Sequence, residues 1–128
     1  MKKLSLSLLV LCLMAAAATA QTNLEKNAAF TGAKATQKKY HAIYQLDNND
    51  PRVIEKALRN LNNALTDPRL EGKIEIELIA FAGGTEAYLK DSKYENDLKA
   101  LVEKGVIVAQ CNNTLRERKI SRDQLYDF

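Results

Sequence analysis

Residues with distinctive chemistry are scarce in this sequence, which has one histidine, no tryptophan and two cysteines among 128 residues. Cys12 lies in an apolar N-terminal segment, so a chain that loses this segment keeps a single thiol and can form no intrachain disulfide. One histidine, one thiol and scattered carboxylates show no metal-ligand spacing, and we predict neither a metal site nor a cofactor. The formal net charge is only +3, and Lys38-Lys39 is no more than a pair, which argues against a nucleic-acid partner.

Long apolar runs are also missing, except for one near the N-terminus. Residues 4–14 are apolar, follow a short basic start and lead into small residues that fit the signal-peptidase pattern. This arrangement predicts a secretory signal peptide over residues 1–20, cut after Ala20, and therefore a periplasmic or secreted protein. The run is too short for stable membrane insertion, and Cys12 is a poor lipidation site because Leu11 stands where a small residue is required.

The rest of the chain has the pattern of a polar lead followed by one small domain. Residues 21–39 lack an apolar period, which predicts a flexible N-terminal tether with little fixed structure. Residues 40–128 alternate between strand and helix patterns. Strands are predicted over residues 40–46, 73–82 and 106–110, with helices over 51–65 and 85–89, from a capping box at Ser92 to Gly105, and over 121–126. Connections of this length imply a mainly parallel sheet in a three-layer, flavodoxin-like α/β/α domain.

Cys111 closes the last apolar strand and is the candidate functional residue. Three residues of types that cap helices follow it directly: Asn112, Asn113 and Thr114. Chemistry in such sheets lies at the carboxyl ends of the strands, where the loop over residues 47–50 and the turn Gly83-Gly84-Thr85 also emerge. A helix beginning at Asn113 or Thr114 favours the thiolate, which predicts a reactive cysteine. The alternative from spacing alone is a small buried hydrophobe.

Cysteine nucleophiles usually have a histidine base, and here only His41 is available. It lies five residues before the end of its strand, on the order of 16 Å from the edge where Cys111 emerges, which argues against a dyad within one subunit. N–H groups such as those of Gly84 and Thr85 would then activate the thiol, an arrangement that suits sulfur transfer better than amide cleavage. Gly83-Gly84 matches no phosphate-binding pattern and is typical of a tight turn.

Several segments resemble the DsrE/DsrF-like family of sulfur-relay proteins. Gly105-Val106 and the run Cys111-Asn112-Asn113-Thr114-Leu115 are similar to the family's "GV…aC.NTm" signature. Residues 57–63 and 76–84 resemble its first helix and second strand. The resemblance covers residues 40–125, nearly the whole predicted domain, and its Cys-x-Asn-Thr element is the most specific part.

The resemblance implies an α/β/α fold, assembly into trimers or hexamers, and a cysteine that carries persulfide sulfur between proteins. It assigns the acceptor role to Cys111, the shaping of its loop to Asn113 and Thr114, and the lining of the pocket to Gly83-Gly84. Well-known sulfur-relay members are cytoplasmic and continue through a further strand and helix, so this chain is expected to be an exported, C-terminally short member. Two other hypotheses remain: a non-catalytic ligand-binding or assembly module, and an enzyme with its own turnover, which lacks an evident base.

Overall fold

The structure, a computed structural model, describes residues 21–128. The predicted signal peptide lies outside the described residues. The chain divides into two compact units, of which the first ends at Ala33. Its described part contains helix α1 (Asn23–Ala28), where a six-residue helix replaces the expected lack of fixed structure. Thr22 and Glu25 form a capping box, and no residue of α1 is buried, so local capping alone accounts for this helix.

The second unit, Lys34–Phe128, contains the domain predicted from the sequence. Strand and helix alternate as expected, and the parallel strands are confirmed. The elements are β1 (Tyr40–Leu46), α2 (Pro51–Leu65), β2 (Ile74–Ala80), a 3₁₀ helix (Ala82–Tyr88), α3 (Glu95–Glu103), β3 (Ile107–Gln110), α4 (Asn112–Arg118) and a second 3₁₀ helix (Arg122–Gln124). None of the helices in residues 21–128 is long and apolar enough to cross a membrane.

The helix starts show which sequence signals act locally. Asp50 caps α2 as predicted, because its carboxylate accepts the Arg52 N–H at 2.9 Å and Pro51 occupies the first helical position. The capping box predicted at Ser92 is wrong. Helix α3 begins at Glu95, and the Ser92 hydroxyl donates instead to the Ala87 carbonyl at 2.9 Å. Ser92 therefore ties α3 to the preceding 3₁₀ helix.

The sheet has the strand order β1-β2-β3, with both pairs parallel. Right-handed crossovers in this order place α2 and α3 over the same face. There they enclose the core, whose leucine and isoleucine members are Leu46, Ile54, Leu58, Leu61, Ile76, Leu78, Leu98 and Leu101. The domain is α/β with a parallel sheet and flanking helices, consistent with the predicted three-layer flavodoxin-like fold, of which residues 21–128 form the sheet and the helical layer over one face. No strand follows β3 in the described residues.

The turn after β2 is fixed by a close approach of two backbones. Phe81 donates its N–H to the Leu46 carbonyl at 3.0 Å, and Gly84 then packs directly on the backbone of Leu46. A Cβ atom placed on Gly84 would lie 1.9 Å from the Leu46 carbonyl oxygen. Only glycine fits, and the requirement is the absence of a side chain, since Gly84 has no positive φ angle.

We expect Gly84→Ala to destabilise the domain by about 2 kcal/mol or more, because neither backbone can move without breaking the end of the sheet. Gly72→Ala is the matched control. Its φ of +69° disfavours alanine, but no atom lies within 4 Å of the new Cβ, so its cost should be only about 1 kcal/mol. Urea unfolding of both variants measures the difference. Equal destabilisation would contradict the role assigned to the Gly84 contact.

Candidate functional site

Cys111 stands where the sequence places it, at the carboxyl end of β3. Its N–H donates to the Ala80 carbonyl at 3.0 Å, which continues the pairing of β3 with β2 by one residue. Helix α4 begins directly afterwards at Asn112, one residue earlier than the first predicted start, so Cys111 itself is the N-cap residue. Its side chain is partly buried. This burial is intermediate between the two alternatives predicted for Cys111, an exposed nucleophile and a fully buried hydrophobic residue.

The first turn of α4 controls the ionisation of the thiol. The backbone N–H of Thr114, then its hydroxyl, and to a smaller extent the Asn113 N–H lower the pKa of Cys111. Partial burial and the carboxylate of Glu117 act in the opposite direction but do not cancel the effect. The Cys111 side chain makes no capping hydrogen bond, so these groups act as nearby polar donors. The balance favours the thiolate, the form that attacks sulfur.

Neither Gly84 nor Thr85, whose N–H groups were predicted to activate the thiol, is among the groups that lower the pKa of Cys111. The Gly84 N–H donates to the Phe81 carbonyl at 2.9 Å and is not available to the sulfur. Thr85 is fully buried, and its hydroxyl oxygen accepts from the Gln110 side chain at 3.1 Å. Both residues form the packed wall behind the site, and Gly83, which is partly buried, is the member of this turn nearer to the surface.

Thr114 links the cysteine turn to the turn after β2. Its side-chain oxygen accepts the Ala82 N–H at 3.1 Å, and Arg118 donates to the Ala82 carbonyl at 2.9 Å. Ala82 has a φ of +45°, a conformation that a non-glycine residue adopts at a cost. Two bonds from α4 thus hold Ala82 in place, and Arg118 is held in turn by an ion pair with Glu86.

The two asparagines after the cysteine are exposed and hold arginine side chains. Asn113 accepts from Arg116 at 2.7 Å, and Asn112 accepts from Arg122 at 2.6 Å. These arginines were not predicted from the sequence, because Glu117 stands between Arg116 and Arg118 and no continuous basic run marks the segment. The three-residue spacing between Asn113 and Arg116, which places two side chains on one helical face, is the signal that was present.

Gln110 supports the cysteine from inside the domain. Its side-chain nitrogen donates to the Cys111 carbonyl at 3.2 Å as well as to Thr85. Its side-chain oxygen is buried and has no hydrogen-bond partner among the described residues. Gln110 also lines a small cavity of about 90 Å³ beside Tyr88 and Tyr126. It therefore connects the Cys111 backbone to the interior packing.

His41 lies at the other end of the sheet, as predicted. It is the second residue of β1, pairs in register with Glu75, and its Nδ1 lies 3.2 Å from a Glu75 carboxylate oxygen. Cys111 follows the end of β3, so a Cys-His dyad does not form within one chain. In residues 21–128 no group of three or more His, Cys, Asp or Glu side chains is placed to hold a metal ion.

Comparisons with known proteins give a relative of the same fold. A scan against protein-family models and a search of curated proteins each return no match. Among solved structures, the chain is similar to MTH1491 from Methanobacterium thermoautotrophicum, a protein of unknown function. The TM-score is 0.65 at 29% sequence identity, over 70% of this chain and 78% of that chain. This likeness supports the fold and carries no statement of activity.

The pH dependence of Cys111 alkylation tests the site. We expect the midpoint of the rate against pH to lie below that of a free cysteine, because donors from Thr114 stabilise the thiolate. Thr114→Val removes the hydroxyl at nearly constant volume and should raise the midpoint, whereas Thr114→Ser should keep it low. A midpoint for Thr114→Val equal to that of the unsubstituted protein would show that the hydroxyl does not act on the sulfur.

Proposed function

We propose that this protein is an exported sulfur carrier of the DsrE/DsrF-like kind, in which Cys111 takes up one sulfur atom as a persulfide. The observation that carries the proposal is the partly buried thiol at the carboxyl edge of the sheet, whose pKa is lowered by Thr114 and Asn113. The sequence resemblance centred on Cys111, Asn113 and Thr114 supports it independently.

The chemistry of persulfide formation matches what the site contains. The thiolate attacks a sulfur atom of the donor, an S–S bond forms, and the bond to the donor's leaving group breaks with its electron pair. No general base is required once the thiol is ionised, whereas amide cleavage also needs an acid for the leaving amine. The lack of a histidine near Cys111 therefore favours sulfur transfer over hydrolysis.

The same lowered pKa serves the second half of a relay. When an acceptor attacks the outer sulfur, Cys111 leaves as a thiolate, and a low-pKa thiol is a better leaving group. On the basis of the predicted signal peptide over residues 1–20, we propose that this relay operates in the periplasm or outside the cell, with a sulfur donor and acceptor different from those of cytoplasmic sulfur-relay proteins.

Treatment with inorganic polysulfide tests the proposal, with intact-protein mass spectrometry as the readout. In a Cys12→Ser background, we expect the gain of one sulfur atom, reversed by reductant and absent from the Cys111→Ser variant. That variant should fold normally, because a serine hydroxyl suits an N-cap position. No adduct under conditions that load a free thiol would contradict sulfur carriage, and a large loss of melting temperature in Cys111→Ser would indicate a structural thiol.

We also propose that the protein is a homo-oligomer, a trimer or hexamer, which is the part of the interaction-module hypothesis that a specific observation favours. The sheet face opposite the core leaves Ile43 and Ile107 69% and 64% exposed. The register places both beside Glu77, so they form one row across the three strands. Exposed isoleucines in a row across a sheet face are typical of a surface that another subunit covers.

Solution mass measured by light scattering tests this assembly. The unsubstituted protein should elute as a trimer or hexamer, and Ile43→Lys and Ile107→Lys should each shift it toward the monomer. Val53→Lys is the control, because Val53 is 41% exposed on α2, the helix that packs on the other face. A monomeric unsubstituted protein, or an oligomer that both variants leave unchanged, would contradict the proposed face.

A further inference from the structure

One buried side-chain atom of the domain lacks a hydrogen-bond partner, and it is the side-chain oxygen of Gln110. The nitrogen of the same amide donates to the Thr85 hydroxyl oxygen at 3.1 Å and to the Cys111 carbonyl at 3.2 Å. The oxygen is shielded from solvent and accepts from no group in residues 21–128, the part of the chain in which no other buried side-chain nitrogen or oxygen is unpartnered. A buried acceptor without a donor opposes folding, so its presence requires an explanation.

The neighbours of this amide set its orientation. The carbonyl oxygen of Cys111 can only accept, so the end of the Gln110 amide that faces it must be the nitrogen. Turning the amide over would place two acceptor oxygens against each other and would remove the donor from the Cys111 carbonyl. The oxygen is therefore the end of the amide that remains open to a ligand.

Gln110 lines a cavity of about 90 Å³ between β3, α3 and residues 125–128. The other side chains that line this cavity are aliphatic or aromatic: Tyr88, Leu98, Val108, Leu125, Tyr126 and Phe128. Leu98 is buried in the core, whereas Phe128 is 37% exposed. The cavity thus extends from the core toward the surface, which gives a small molecule a way in.

The polar atoms around the cavity can accept hydrogen bonds but have no proton left to donate. The Tyr88 hydroxyl donates to the Leu78 carbonyl at 2.8 Å, and the Tyr126 hydroxyl donates to the Ser92 carbonyl at 2.7 Å. Both protons of the Gln110 amide are also in use. A ligand that makes a hydrogen bond to these side chains must therefore bring the donor itself.

The surroundings of the cavity also favour an uncharged ligand. None of the lining residues carries a charge. Lys99, whose ammonium group lies 5.6 Å from the ring centroid of Phe128, is paired with Glu95. An ion that entered the cavity would lose its hydration without gaining a counter-ion.

We propose that this cavity binds a small uncharged molecule with an apolar body and one N–H or O–H group, which donates to the side-chain oxygen of Gln110. An enclosed apolar cavity of about 150 Å³ binds benzene, so the smaller volume here suits a five-membered ring or a short chain. The inference is independent of the proposed sulfur transfer and assembly, since it uses neither the Cys111 thiol nor the open sheet face. Water is the competing occupant, because it also donates to a buried acceptor.

Pyrrole and furan are a matched pair of probes for this site. Both are five-membered aromatic rings of nearly the same size, and only pyrrole carries an N–H donor. We would titrate each into the isotope-labelled protein and follow the NMR signals of the Gln110 side-chain amide and of the Val108 and Leu125 backbone amides. We expect pyrrole to bind with a roughly millimolar Kd, and furan to bind about threefold to tenfold more weakly because it lacks the hydrogen bond.

Two variants separate the acceptor from the shape of the cavity. Gln110→Met keeps the length of the side chain and removes the acceptor, so pyrrole should then bind no more tightly than furan. Because this variant also loses the bonds to Thr85 and Cys111, Val108→Leu is tested beside it. That change adds one methylene to the cavity wall and should weaken both probes about threefold or more. Val53→Leu is the matched control, since it adds the same methylene on α2, outside the cavity, and should change neither affinity.

Three results would overturn the inference. The first is equal affinity of pyrrole and furan for the unsubstituted protein, which would exclude the hydrogen bond to Gln110. The second is binding that shifts the signals of Ile43 and Ile107 in place of those around the cavity. The third is an absence of binding by either probe up to its solubility limit, which would show that water alone occupies the cavity. None of these results would bear on persulfide formation at Cys111.

Discussion

The contact between Gly84 and the backbone of Leu46 is the constraint on which the carboxyl edge of the domain depends. Because the turn after β2 lies directly on the end of β1, Ala82 comes within reach of Thr114. Thr114 in turn sets the ionisation of Cys111. A steric requirement at a buried glycine is therefore connected, through two hydrogen-bonded residues, to the reactivity of a thiol that the glycine does not touch.

A catalytic histidine usually both lowers the pKa of a thiol and takes up its proton. At Cys111 the pKa is lowered without a neighbouring histidine. The pKa of Cys111 is lowered by fixed donors in the first turn of α4, and His41 lies at the other end of the sheet. Such a site raises the fraction of thiolate above that of a free cysteine without a histidine beside the thiol. This arrangement fits the sulfur carrier proposed above, because attack of a thiolate on sulfur needs no proton transfer at that step.

The fold was predictable from the sequence because its signals are local. The alternation of Ile74, Ile76 and Leu78 and the cap at Asp50 each define an element without reference to the rest of the chain. The failures arose where a side chain bonds across the fold. Ser92 matches a capping box but bonds to Ala87, and Thr85 follows two glycines but is buried against Gln110. The role of Arg122 beside Asn112 likewise depends on three-dimensional proximity, whereas Arg116 lies only three residues from Asn113 on the same helix, a local spacing that was overlooked.

Glu77 adds a negative charge to the sheet face opposite the core, whose exposed isoleucines are apolar. The register places this carboxylate between Ile43 and Ile107, in the middle of an otherwise apolar row. Covering the row removes water from the carboxylate, which is costly unless the covering surface brings a cation or a hydrogen-bond donor to it. A purely apolar covering surface is therefore disfavoured, and a neighbour that covered this face would have to place a cation or a donor at Glu77.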